Sequence, residues 1–203
     1  MAKEIEAKIK IDKIVDLRER LHAVGASLEG TANEKNWVFD DDSGSLANMG
    51  FLLRVRNLGD IACILTVKRP IEGGDGFKAR EEVETVVDST RDLLKQIEML
   101  GYKTRWIYEK RRQTWLWREC VISVDECPEI GNYIEIEGLP EIIRLVCQDL
   151  GLNADDHIED NYLTLWQKHL AARGEPDRNM VFSQPGQDKN DPDFNKLSEL
   201  LFD

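Results

Sequence analysis

Apolar and polar residues alternate with a period of two in several stretches of this chain, and charge fills the polar side. Glu4, Glu6 and Lys8 alternate with Ile5, Ala7 and Ile9, so a strand here carries two carboxylates and an ammonium on one face and apolar side chains on the other. The Glu-x-Glu pattern returns at Glu82-Val83-Glu84 and at Glu135-Ile136-Glu137. Arg54 and Arg56 oppose Leu53 and Val55, Thr66 and Lys68 oppose Leu65 and Val67, and Lys110, Arg112 and Thr114 oppose Arg111, Gln113 and Trp115. Ser123 and Asp125 oppose Ile122 and Val124, while Tyr133 shares a face with Glu135 and Glu137. With a short strand at Trp37-Val38-Phe39, the pattern predicts about eight strands, mostly antiparallel.

Between these strands the apolar spacing changes to three and four. Asp12 is placed to cap a helix carrying Ile14, Leu17, Leu21 and Val24, with Gly25 as its stop. Ser89 caps a second through Leu93, Leu94, Ile97 and Leu100 to Gly101. Pro140 opens a third with Ile142, Ile143, Val146 and Leu150, and Asp160 starts a last one running through Tyr162, Leu163, Leu165, Trp166 and Leu170 to Gly174. Each offers one apolar stripe, as a helix covering a sheet does. His22 on the first helix reads as a packing or solvent-facing residue. The run Asp40-Asp41-Asp42-Ser43-Gly44 lacks the distal glutamate of an EF-hand and reads as a solvated turn. Gly73-Gly74-Asp75-Gly76 lacks the Gly-Lys-Ser/Thr ending of a phosphate loop and precedes a strand pattern, so it reads as a hairpin connection.

Composition narrows the class. The 203 residues carry a formal net charge of -12, which argues against a general nucleic-acid surface and requires any anion site to be a local concentration of Lys and Arg. Cys63, Cys120, Cys127 and Cys147 have no Cys-x-x-Cys spacing, so reduced thiols are expected rather than a zinc site or disulfides. With no signal-peptide core and no apolar run of membrane length, the expectation is a soluble cytoplasmic protein without membrane partners. Residues 1–174 read as one domain. From Glu175 the composition turns to Pro, Asn, Asp and Gln, with a short apolar cluster at Leu197, Leu200, Leu201 and Phe202, so residues 175–203 are expected to be an appendage, partly disordered or docked.

If the sheet closes, its apolar face meets the helices and its charged face points inward, the reverse of a small apolar-filled barrel. An open sheet with a wet charged face accounts equally well for the alternation. It does not account for segregation by strand, with cations on 51–57, 61–68 and 107–117 and acids on 3–9, 80–85 and 132–137. A polyanion held by the first group and a divalent metal held by the second would use both sets. Triphosphate with magnesium or manganese meets that demand, since hard oxygen ligands suit those metals and Arg and Lys suit phosphate.

In this setting Glu4-Ile5-Glu6-Ala7-Lys8 resembles the Glu-x-Glu-x-Lys signature of the CYTH domain, the superfamily of class IV adenylyl cyclases, thiamine triphosphatases and other triphosphate tunnel metalloenzymes. Leu53-Arg54-Val55-Arg56, Thr66-Val67-Lys68-Arg69-Pro70, Arg80-Glu81-Glu82-Val83-Glu84, Glu109-Lys110-Arg111-Arg112, Val124-Asp125 and Gly131-Asn132-Tyr133-Ile134-Glu135-Ile136-Glu137 resemble its successive strand motifs, in order, over residues 3–170. The resemblance implies an α+β fold, an eight-stranded antiparallel closed β-barrel or tunnel with a charged interior and helices outside. It implies Mg2+ or Mn2+ held by Glu4, Glu6, Glu135 and Glu137, and phosphates gripped by Lys8, Arg54, Arg56, Lys68, Lys110 and Arg112. Glu82, Glu84 and Asp125 would then orient those cations, assist a second metal or position a nucleophile. Implied partners are tripolyphosphate, ATP or a similar small triphosphate, and the reading leaves room for a homodimer. Hydrolysis needs only phosphates, metal and water, which favours a triphosphatase. The alternatives are a cyclase making cyclic AMP and pyrophosphate, and a non-catalytic polyphosphate or nucleotide binder. Asn161-Tyr162 stands where the cyclase-like branch commonly has Ser-Tyr, a departure that counts against copying that activity.

Overall fold

The computed structural model describes residues 2–59 and 61–182. Eight strands form its frame: β1 (Ala2–Ile11), β2 (Ser27–Asp40), β3 (Leu52–Asn57), β4 (Cys63–Pro70), β5 (Lys78–Val87), β6 (Lys103–Trp117), β7 (Cys120–Cys127) and β8 (Gly131–Glu137). Five helices join or flank them: α1 (Ile14–Val24), α2 (Ser45–Asn48), α3 (Thr90–Met99), α4 (Pro140–Asp149) and α5 (Tyr162–Arg173). The strands close into a ring in the order β1-β5-β4-β3-β2-β6-β7-β8, with every neighbouring pair antiparallel.

Closure turns the alternation inside out, as expected. The outward residues of β1, Ile5, Ala7, Ile9 and Ile11, pack with Ile122, Val124, Ile134 and Ile136 of β7 and β8 against Leu17 and Leu21 of α1 and Ile143, Val146 and Leu150 of α4. A second apolar layer sets Val55 and Phe39 against Leu93 and Ile97 of α3. The hydrophobic core therefore lies between ring and helices, and burial there is what holds the charged face inward. Trp115 belongs to this outer layer and is 1 % exposed. His22 packs edge-on to it with ring centroids 4.9 Å apart.

Several local expectations need correction. β2 is 14 residues long rather than three. Its first half has only Leu28 and Ala32 as apolar side chains, too few for alternation to reveal it, but its backbone pairs with β6 from Ser27 to Asp40. Helix α1 starts after Lys13 without a side-chain cap, not at Asp12. Asn161 rather than Asp160 caps α5, its side-chain oxygen accepting from the Thr164 N–H at 2.8 Å. The acidic run is an exposed turn at Asp42 and Ser43, as expected, but its first residue is not solvated. Asp40 is buried and accepts from the Leu46 and Ala47 N–H groups at 3.0 and 2.9 Å, which nucleates α2. Ser89 does cap α3, and Pro140 does open α4. The Gly73–Gly76 segment links β4 to β5, and a Cβ on Gly74 would sit 1.9 Å from the Phe77 carbonyl oxygen, so this glycine answers to a close backbone approach.

The segment after α5 docks where it is described. Met180 bridges in parallel to Tyr108, its N–H donating to the Ile107 carbonyl at 3.1 Å and its carbonyl accepting from the Glu109 N–H at 2.8 Å. The apolar cluster at Leu197, Leu200, Leu201 and Phe202 lies outside the described residues. All four cysteines are buried and free. Among the described residues no helix is long and apolar enough to cross a membrane.

Candidate functional site

Ring order does what strand assignment alone does not: it makes neighbours of the three acidic strands. β8, β1 and β5 are consecutive, carrying Glu135 and Glu137, Glu4 and Glu6, and Glu82 and Glu84. In a ring of eight they face β3, β2 and β6, which carry Arg54 and Arg56, then Glu34, then Lys110 and Arg112. A cavity of about 340 Å³ lies between these walls, lined by every residue expected at the site except Asp125.

Each wall is braced by pairs that cross between strands. The Lys68 ammonium reaches Glu4 at 2.8 Å and Glu82 at 3.0 Å. Glu84 accepts from Thr66 Oγ1 at 2.7 Å and lies 3.5 Å from Arg54 and 3.4 Å from Arg56. Lys8 pairs with Glu135 at 3.2 Å, donates to the Asp160 carbonyl at 3.2 Å and stands 4.4 Å from the centre of the Tyr162 ring. Glu135 also binds Arg112. Behind the cavity, fully buried Asp125 accepts from Arg112 at 2.7 and 2.6 Å, from Lys110 at 3.0 Å and from the Tyr162 hydroxyl at 2.7 Å. It orients two cations and ties α5 to the ring.

Three charged residues were missed. Lys78 and Arg80 line the cavity from β5; Lys78 pairs with Glu6 at 3.3 Å, and the Arg80 side chain makes no hydrogen bond or ion pair among the described residues. Their signal was present, since they share the period-two face of Glu82 and Glu84. Glu34 left none, because β2 is polar on both sides there. It is buried among Arg56, Lys110 and Arg112 at 3.7, 3.6 and 3.9 Å, a lone acid in the basic wall.

The acids differ in how well their charge is met. Burial opposes ionisation of Glu135, yet Lys8, Lys110 and Arg112 hold it well below the usual carboxylate range. Burial and the charge of Glu4 push Glu137 up to about 7, and among the described residues its carboxylate has no hydrogen bond or ion pair. Burial likewise lifts Glu82 to about 7, with Lys68 opposing and Glu4 adding.

A raised carboxyl favours the protonated folded state, so its contribution to stability falls as pH rises from the unfolded value of 4.5 through about 7. Glu137→Gln is therefore expected to raise the melting temperature of the metal-free protein at pH 8 and leave it nearly unchanged at pH 4. Thermal melts in chelator at the two pH values check this, and an equal shift at both would refute it.

The donors here are all carboxylate oxygens, the chemistry that suits magnesium or manganese. Crowding of Glu4, Glu6 and Glu137 leaves negative charge that a divalent cation would compensate. Among the described residues no three His, Cys, Asp or Glu side chains stand close enough to hold a metal as placed. The fit is thus one of chemistry, with Glu4 and Glu6 drawn onto Lys68 and Lys78.

Comparison with known proteins agrees with this geometry. The family model for the CYTH domain matches residues 2–148. That family is metal-dependent and takes triphosphate substrates. No match was found among curated proteins. Solved structures with the same fold include a protein from Pyrococcus horikoshii, 22% identical with a TM-score of 0.70 over 80% of this chain and 98% of that one. A candidate adenylate cyclase from Vibrio parahaemolyticus is 16% identical, TM-score 0.71, covering 81% and 97%. A candidate adenylyl cyclase from Hippeastrum, described as having a dominant triphosphatase activity, is 18% identical, TM-score 0.60, covering 85% and 97%. At these identities the likeness is one of fold.

Proposed function

The chain belongs to the CYTH domain family, and on that premise we propose that it is a divalent-metal-dependent triphosphatase. The observation that carries the reading is the pair of facing walls, three adjacent acidic strands across one cavity from strands rich in Arg and Lys. Lys8, Arg54, Arg56, Lys68, Lys110 and Arg112 grip phosphate oxygens, joined by Lys78 and Arg80. Arg80 is the cation best placed to take a phosphate without first giving up a protein partner. Glu4, Glu6, Glu135 and Glu137 supply oxygens for Mg2+ or Mn2+, Glu137 being unengaged and Glu135 doubling as the anchor of Lys8 and Arg112. The metal, when bound, neutralises charge building on the phosphoryl oxygens.

The chain's own groups do the rest. Fixed guanidinium and ammonium groups stabilise the same charge without reorganising. Glu82 and Glu84 position the attacking water; the raised pKa of Glu82 suits a group that accepts a proton near neutrality. Asp125 is a positioning residue that holds Lys110 and Arg112 in place.

Incubation of the purified protein with magnesium or manganese and tripolyphosphate or ATP, followed by separation of products, tests the reading. Metal-dependent release of orthophosphate is expected. Cyclic AMP with pyrophosphate would replace it with the cyclase reading. Binding without turnover of any triphosphate would leave a non-catalytic binder.

A further inference from the structure

The basic wall carries an acid of its own. Arg54 and Arg56 of β3 and Lys110 and Arg112 of β6 line the cavity, and β2 runs between those strands with Glu34 behind them, off the cavity surface. Alternation turns Glu34 inward with Asn36, and the register sets it directly opposite Lys110 and diagonal to Arg56. Its side chain is 2 % exposed. Burial opposes its ionisation, but Lys110, Arg112 and Arg54 hold its pKa below the usual carboxylate value, so the acid is charged at neutral pH.

Glu34 meets these cations in a different way from the other acids of the site. Asp125 grips Lys110 and Arg112 through hydrogen bonds of 3.0, 2.7 and 2.6 Å, and Lys68 lies 2.8 Å from Glu4. Glu34 stands farther off, 3.7 Å from Arg56, 3.6 Å from Lys110 and 3.9 Å from Arg112, and its buried Oε2 makes no hydrogen bond among the described residues. A hydrogen bond fixes its partner within a narrow range of distance and angle, whereas attraction between charges falls only as the inverse of distance. Asp125 therefore fixes positions, and Glu34 exerts a pull on three cations at once that does not depend on a fixed geometry. The same charge repels a polyphosphate on the far side of them.

We propose that Glu34 is a counter-charge that weakens the grip of the basic wall on polyphosphate, so that the cavity takes up its substrate without retaining the phosphate products. This rests on the triphosphate reading of the cavity and deepens it. Pyrophosphate can make most of the contacts that a triphosphate makes, and a wall that binds both tightly slows release without helping the chemical step. The acid also offsets repulsion among the buried cations while the cavity is empty. Removing its charge therefore acts in two opposite directions, making the empty protein less stable and the phosphate complex tighter. An acid that merely held the cations in position would give the contrary sign for binding, since its loss would scatter the groups that grip phosphate.

Calorimetric titration of the full chain with tripolyphosphate in chelator, and with pyrophosphate with and without magnesium, tests the proposal. Glu34→Gln keeps the size of the side chain and is expected to bind both ligands about tenfold tighter than wild type, the scale of one unit charge a few ångströms behind the contact groups. Glu34→Asp keeps the charge and should stay within about threefold of wild type. Asn36→Asp, an isosteric change at the next inward position of β2 and opposite Arg56, adds a second acid to the wall and should weaken binding severalfold. It decides the matter if Glu34→Gln fails to fold. In magnesium, KM for tripolyphosphate and the inhibition constant of pyrophosphate should both fall in Glu34→Gln. Weaker or unchanged binding by Glu34→Gln, or binding that Asn36→Asp does not weaken, overturns the proposal. Wild-type turnover beside such a result leaves the triphosphatase reading standing. Tighter binding by Glu34→Gln, where the wild-type chain turns over no triphosphate, sustains the proposal and overturns that reading. Failure of the wild-type chain to bind either ligand under all of these conditions overturns both.

Discussion

Replacing Glu4 and Glu6 together by Gln is expected to reduce metal-dependent turnover by about a thousandfold or more while the protein still folds. Both carboxylates line the cavity in the middle strand of the acidic wall, flanked by β5 and β8. Glutamine keeps size and hydrogen-bonding capacity and removes the charge that a hard cation requires. Folding should survive because Lys68 retains Glu82 at 3.0 Å. Burial already lowers the Lys78 pKa, so the charged form that Glu6 supports is less favoured there to begin with. Initial rates over a range of magnesium and manganese concentrations, beside thermal melts of the same preparations, make the measurement. Wild-type rates in the double variant would remove these residues from the metal site.

The second large effect is on stability. Asp125→Ala should destabilise the protein by about 3–5 kcal/mol, because it strips a shared counter-charge from two buried cations. Lys110 is 3 % exposed and would keep, among the described residues, Glu34 at 3.6 Å and the Tyr162 ring at 5.2 Å, while Arg112 would keep Glu135 and Glu34. The Tyr162 hydroxyl would lose its 2.7 Å acceptor as well, loosening α5 from the ring. Asp125→Asn retains the shape and part of the hydrogen bonding and should recover some of the loss. Urea unfolding of the three proteins measures this, and an Asp125→Ala variant within about 0.5 kcal/mol of wild type would show that the network is not structural.

The two variants separate roles that the resemblance leaves merged. Asp125 stood in the sequence beside Glu82 and Glu84 as a candidate for catalysis, and its alternation with Ile122 and Val124 correctly turned it inward. Depth was not legible: Glu82 and Glu84 line the cavity, whereas Asp125 lies behind it under Arg112 and Tyr162. How far an inward residue stands from the lumen depends on what its neighbours across the ring place in front of it. Glu34 illustrates the opposite failure, an inward acid on a strand whose polar sequence hides its own alternation. Lys78 and Arg80 were readable, since they share the period-two face of Glu82 and Glu84.

Alternation is a local property, and so it was enough to sort side chains into an apolar face and a charged face on almost every strand. From it followed the charged face of each strand and the separation of cations from acids, while the covering helices came from three- and four-residue spacing and the inward turn of the charges from closure. Which strands become neighbours is not local. β1 pairs with β5 and β8, partners that begin 76 and 129 positions after its first residue, and backbone pairing of that range is selected by burying the outer apolar layer, not by any residue's own period. Ring order then places the three Glu-x-Glu strands side by side opposite the basic ones, and sets Glu34 of β2 among Arg56 of β3 and Lys110 and Arg112 of β6. No single stretch carries that cluster as a motif. It exists because antiparallel closure runs β2 between β3 and β6.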